Sequence, residues 1–136
     1  MKLKDVKYTT SLNKLYRYQK DKIVYLACDW CMDTFGVKKW CPSFLVDIVN
    51  DKLAVAAGWY ETSRHDPEII INLADNETVG DIIDTVIHEY THYLQPNFKE
   101  VYFGKDYDPD NHPYEIEARA KAKKYRKKCF DIIMCR

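Results

Sequence analysis

Between Thr78 and Gln95 the apolar residues Val79, Ile82, Ile83, Val86 and Ile87 recur three and four positions apart, the period of a helix with one buried face. Thr78 followed by Asp81 forms a capping box with Asp in place of the usual Glu, and Pro96 ends the run. The spacing predicts a helix over 78–95. Upstream, Leu12, Leu15, Tyr16, Ile23, Leu26, Cys28 and Trp30 follow the same period behind the N-cap candidates Thr9, Thr10 and Ser11, so a long first helix is expected to run to about Thr34 and stop at Gly36. Phe44–Val49 is short, apolar and β-branched. Asn50-Asp51 supplies a turn, and 53–60 would return as the second arm of a hairpin. After a turn at Arg64-His65-Asp66-Pro67, Glu68–Leu73 is a third strand. The stretch 97–112, rich in Asp, Asn, Tyr and Gly, is expected to be a loop. A last helix should begin near Asn111–His112, with Pro113 in a first-turn position where its missing N–H costs nothing, and run to about Met134.

The expected fold is α+β: an N-terminal helix, a small, mostly antiparallel three-stranded sheet, and two further helices. At 136 residues, the chain suits a single domain over 1–136 with one core. No apolar run follows the N-terminal Met1-Lys2-Leu3-Lys4-Asp5, and no stretch approaches the roughly 18 apolar residues of a membrane span. The expectation is a cytoplasmic protein. Five cysteines, an odd number, fit a reducing compartment better than a disulfide framework. Cys28 and Cys31 have CxxC spacing and Cys41 follows, but three thiols without a fourth ligand do not specify a structural zinc site. Buried or idle thiols are the expectation.

The zero net charge hides segregation. Residues 1–22 carry seven basic and two acidic side chains, and residues 115–136 carry eight and three, whereas 23–114 carry six and sixteen. Solvated Lys/Arg faces on two terminal helices account for this most simply. A nucleic-acid footprint over Lys121–Lys128 is the sharper, less favoured alternative.

The residues with the most chemistry lie in Thr85-Val86-Ile87-His88-Glu89-Tyr90-Thr91-His92. Positions four apart stack on one helix face, so His88 and His92 can close on one metal ion without moving the backbone. Glu89 is directed toward the open position where a water would sit. This HExxH pattern is that of zinc metallopeptidases, with two ligands and a carboxylate able to take a proton. A catalytic zinc needs a third protein ligand. Glu115 and Glu117 open the last helix, and two residues apart they point about 200° away from each other, so only one can face the metal. Tyr102, Tyr107, His112 and Tyr114, in or beside the loop after the motif helix, are candidate donors to a developing oxyanion.

His88-Glu89-x-x-His92 followed by Pro113-Tyr114-Glu115-Ile116-Glu117-Ala118-Arg119 resembles the glutamate-zincin (gluzincin) superfamily, in particular small single-domain microbial and phage metallopeptidases. The resemblance covers about residues 44–125, including Gly58-Trp59-Tyr60 and Ile69-Ile70-Ile71-Asn72 as the preceding strands. It implies a zinc-dependent peptidase, with His88 and His92 as ligands, Glu89 as general base and Glu115 as third ligand, leaving Glu117 as the alternative. It also implies a protein or peptide substrate paired to an edge strand, for which Ile69–Leu73 is the candidate. Arg119 departs from the pattern, since an Asp or Asn there often supports a ligand histidine. Asp84, Asp108 and Asp110 are the substitutes to consider. The contrasting reading is a zinc-binding module without turnover. Trp40-Cys41-Pro42 does not resemble the cysteine motif of peptide deformylases, which also carry HExxH.

Overall fold

The computed structural model describes residues 1–62, 66–104 and 108–135. Its elements are α1 (Arg17–Phe35), β1 (Leu45–Val49), β2 (Gly58–Glu61), β3 (Glu68–Asn72), α2 (Val79–Leu94), α3 (Phe98–Phe103) and α4 (Pro113–Ile133). The fold is α+β with a mixed sheet. Among the described residues, no helix is long and apolar enough to cross a membrane.

Helix α2 packs against α1, α4, β2 and β3, and 12 of its 16 residues are buried. It starts as expected: the Thr78 hydroxyl accepts from Asp81 N–H, and the Asp81 carboxylate accepts from Thr78 N–H. Its remaining first-turn donors are satisfied from the N-terminus. Val79 N–H donates to Thr10 O, Gly80 N–H donates to Tyr8 O, and Leu12 N–H donates to Glu77 O. That service explains a departure from expectation. Residues 8–11 are held outside helical geometry by these partners, Leu12–Lys14 forms only a 3-10 turn, and α1 begins at Arg17. Tertiary hydrogen bonds outweigh local helical spacing here. At the other end, Gly36 stops α1 with φ +80°, a conformation that suits glycine.

The expected hairpin between the first two strands does not form. The strand order is β1-β3-β2, with β1 parallel to β3 and β2 antiparallel to it, so one of the two pairings is parallel and the sheet is not mostly antiparallel. The cause is Asn72, which is fully buried. Its amide accepts from Asp51 N–H and donates to Asp51 O and Ala56 O, carrying the chain around the end of β3 instead of back along β1. Leu53 and Val55 are left 91% and 96% exposed, and only Gly58–Glu61 of the expected second strand pairs. A further consequence concerns Ile69–Leu73. Expected at an edge, this segment is central, and β2 is the strand beside α2 with an open side.

The expected loop over 97–112 contains α3 and a 3-10 turn at Pro109–Asn111. Asn97 takes φ 49° and ψ 43°, a left-handed conformation that Asn tolerates, and so reverses the chain after Pro96. The last helix starts at Pro113 as expected, with the His112 ring accepting from Tyr114 N–H.

Candidate metal centre

Helix α2 brings His88 and His92 to one face, with ring centroids 4.9 Å apart. The capped start of α4 then sets the register of its acidic first turn. His88 Nε2 lies 3.1 Å and His92 Nε2 2.5 Å from the same oxygen, Oε1 of Glu115. Glu117, one-half turn on, faces the other way and accepts from the Gln95 amide at 2.7 Å. Of the two carboxylates, Glu115 therefore meets both imidazoles.

Gln95 decides which nitrogen of His92 carries the proton. Its amide nitrogen donates both to Tyr114 O at 2.9 Å and to Glu117 Oε1 at 2.7 Å. Its carbonyl oxygen is thereby turned toward His92 Nδ1, 2.7 Å away. Nδ1 must be the donor, and in the neutral ring Nε2 then presents a lone pair. A lone pair facing a carboxylate oxygen at 2.5 Å is repulsive unless positive charge lies between them. His88 Nε2 converges on the same point. The donor set, two imidazole nitrogens and one carboxylate, is that of a three-ligand zinc site with an open position. These residues fit a divalent cation.

None of the three aspartates considered for supporting a ligand histidine is shown bonded to one. Asp84 accepts from Arg126 at 2.9 Å. Asp108 accepts from Asp110 N–H and from the Asn111 side chain. Asp110 is exposed, and it is its backbone carbonyl, not its carboxylate, that accepts from Arg119. Gln95, three residues after His92, supplies the support instead, and i, i+3 adjacency was the available signal.

The potential ligand atoms of His88, Glu89 and His92 all lie within 4.8 Å of one another. Burial pushes the Glu89 carboxyl up to about 8, with His92 pulling it down and Glu115 pushing it further up. Burial also raises the Glu115 carboxyl, but hydrogen bonding and charge at His88 and His92, when positive charge is present at their Nε2 atoms, outweigh it and hold that carboxyl well below the usual range. The two adjacent carboxylates are thus driven in opposite directions, Glu89 upward by burial and Glu115 downward by the imidazoles.

These groups line a cleft of about 310 Å³ together with Gly58, Trp59, Tyr60, Phe98, Tyr102 and Phe103. Gly58 permits the close approach of β2, because a Cβ there would meet Thr85 Cγ2 at 2.6 Å and Ile70 O at 2.8 Å. Asn72 N–H donates to Ala57 O, and the alternation of an antiparallel ladder then directs the N–H and C=O groups of Gly58 and Tyr60 to the open edge beside the cleft. Phe98 packs 4.8 Å from the His92 ring and 4.8 Å from Tyr102, forming an aromatic wall.

The tyrosine and histidine candidates separate. His112 is buried with both ring nitrogens engaged, Nδ1 accepting from Tyr114 N–H and Nε2 donating to Val101 O. The Tyr114 hydroxyl donates to Pro96 O at 2.6 Å. Neither is placed as a donor to the cleft. Tyr102 lines it, with its hydroxyl pushed up by burial and then by Glu115 and Glu89. Tyr107 and His65 lie outside the described residues. Cys28, Cys31 and Cys129 are buried, Cys41 is half-buried and Cys135 exposed, and no disulfide links them among the described residues; burial pushes Cys28 up to about 12.

Compared with family models, curated proteins and solved structures, the chain matches none.

Proposed function

We propose that this chain is a zinc-dependent peptidase, with His88, His92 and Glu115 as ligands and Glu89 as general base. The observation that carries the reading is the convergence of two imidazoles and one carboxylate oxygen at 2.5 and 3.1 Å, where the tautomer set by Gln95 demands a cation or a proton. Zinc held by these three residues would supply a Lewis acid for a scissile carbonyl and lower the pKa of a water. Glu89, buried and beside both ligand histidines, is the group placed to accept a proton in the cleft and return it to a leaving amine. Gly58 and Tyr60 offer main-chain groups along the open edge of β2 to an extended peptide, and Tyr102 is the side-chain donor available on the cleft wall. Phe98 and Phe103 keep one side of the cleft apolar. The odd number of cysteines, which suits a reducing compartment better than a disulfide framework, supports work in one such as a cytoplasm.

Three of the six basic residues in Lys121–Lys128 make contacts with other parts of the fold, which favours the solvated-face reading over a nucleic-acid footprint. Lys121 lies over the Phe35 ring and Lys127 over Tyr8, while Arg126 pairs with Asp84.

Replacing Glu89 with Gln tests the assignment. The variant should fold, keep its zinc, and lose about 10²- to 10⁴-fold in peptide hydrolysis, the usual contribution of a positioned base. Hydrolysis by Glu89→Gln at the wild-type rate would refute the mechanism.

A further inference from the structure

Asn76 and Thr85 are buried polar residues that the proposed mechanism does not use. Asn76 follows the 3-10 turn Leu73–Asp75 at the end of β3, and Thr85 lies on α2 one turn before Glu89. The Asn76 amide nitrogen donates to Asn72 O at 2.7 Å and to Ala57 O at 3.1 Å. Two carbonyl oxygens on the nitrogen side fix the orientation of this amide. Its oxygen therefore faces α2, where the Thr85 hydroxyl donates to it at 2.9 Å; the same hydroxyl is shared with Asp81 O, also at 2.9 Å. Ala57, the residue before β2, accepts in addition from Asn72 N–H at 2.8 Å, so its carbonyl is held twice. The methyl of Thr85 lies against the next residue along. A Cβ on Gly58 would meet Thr85 Cγ2 at 2.6 Å and Glu89 Cγ at 3.4 Å. One side chain of α2 thus holds the entry to β2 through Asn76 and abuts the strand directly, a single turn from Glu89.

We infer that Asn76 and Thr85 are positioning residues that hold the open edge of β2 in register with Glu89 and the two imidazoles, and so select extended peptides over short ones. The inference rests on the peptidase reading and deepens it. A chain paired with the main-chain groups of Gly58 and Tyr60 has its place along the cleft fixed by where β2 starts. The ladder to β3 sets the register of the strand within the sheet. The link through Asn76 ties that register to the helix that carries Glu89. A displacement of about 1 Å between a bound chain and the reacting groups can cost about 100-fold in rate. The side-chain hydrogen bonds of the pair run to Asn72, Ala57 and Asp81 and not to His88, His92 or Glu115, so the metal ligands stay in place without them.

The test uses zinc-loaded Glu89→Gln protein, so that turnover is not required, and two peptides sharing a central sequence. The long one can span Gly58 and Tyr60 and the short one cannot. The long peptide should bind about tenfold tighter, the yield of one or two main-chain hydrogen bonds. Adding Thr85→Val, which leaves the Asn76 oxygen without its donor, should erase that advantage while the zinc content is unchanged. Asn76→Ala cuts the link from the sheet side and should do the same. Thr85→Ser keeps the hydroxyl and should retain the advantage. In otherwise wild-type protein, Thr85→Val should raise KM for the long peptide about tenfold and leave KM for the short one unchanged. A purely structural role would lower the folded fraction, and with it the apparent kcat for both peptides, without moving either KM. No advantage for the long peptide, an advantage that survives in Thr85→Val and Asn76→Ala, or equal weakening of both peptides overturns the positioning role. Hydrolysis by wild type with no such change in KM would overturn it and spare the peptidase. A length advantage that depends on Thr85 and Asn76, with no hydrolysis by wild type, would do the opposite.

Discussion

Gln95 does for His92 what a carboxylate does in many zinc centres. Its carbonyl accepts from Nδ1 and so frees Nε2 toward Glu115, while its own amide is held by Tyr114 O and Glu117. Such supporting partners are commonly worth 10- to 100-fold in metal affinity. Gln95→Ala should therefore weaken zinc binding by about that factor in a chelator competition, with helix content unchanged; unaltered affinity would show that the relay is incidental. At this scale much was legible beforehand. His88, Glu89 and His92 share a helix whose cap and stop are written in Thr78, Asp81 and Pro96. The choice between Glu115 and Glu117 was not, because it depends on the helical register fixed by the His112 cap and on how α4 packs against α2. Nor was Gln95, since a glutamine gives no metal-ligand signal until its partners are in place.

Among the elements, β2 is the one whose position the proposed chemistry most needs. It reaches the cleft because Gly58 lacks a Cβ and lies against Thr85 and the Ile70 carbonyl. Gly58→Ala forces a methyl against backbone that has nowhere to move. The expected cost is about 1–3 kcal/mol, read as a lower melting temperature, with peptide affinity reduced further as the edge shifts from Glu89. A variant as stable as wild type would mean that the strand yields freely. The hairpin expected between β1 and β2 failed for a long-range reason. Asn50-Asp51 reads locally as a turn, yet Asn72, 21 residues on, captures Asp51 through both faces of its amide. A second buried amide, Asn76, ties Ala57 and the Asn72 carbonyl to Thr85 on α2. Read alone, Asn72 is only the end of the third strand and Asn76 only part of the break that follows it.

For the whole molecule, three separate elements contribute to one centre: α2 gives two imidazoles and Glu89, α4 gives Glu115, and β2 gives the edge. The N-terminal segment and α1 brace α2 from behind without entering the cleft. Three basic side chains of α4 pair or stack with neighbouring elements, Arg126 with Asp84, Lys121 with Phe35 and Lys127 with Tyr8. The α+β class followed from periodicity alone, whereas strand order rested on contacts no local pattern encodes. The decisive measurement is the zinc content of purified protein by elemental analysis, with Glu115→Gln and Glu117→Gln beside wild type and each checked for fold by circular dichroism. Zinc near one per chain in wild type and in Glu117→Gln, with most of it lost from Glu115→Gln, is the predicted result. Folded wild-type protein that takes up no zinc, or a loss confined to Glu117→Gln, would contradict the account.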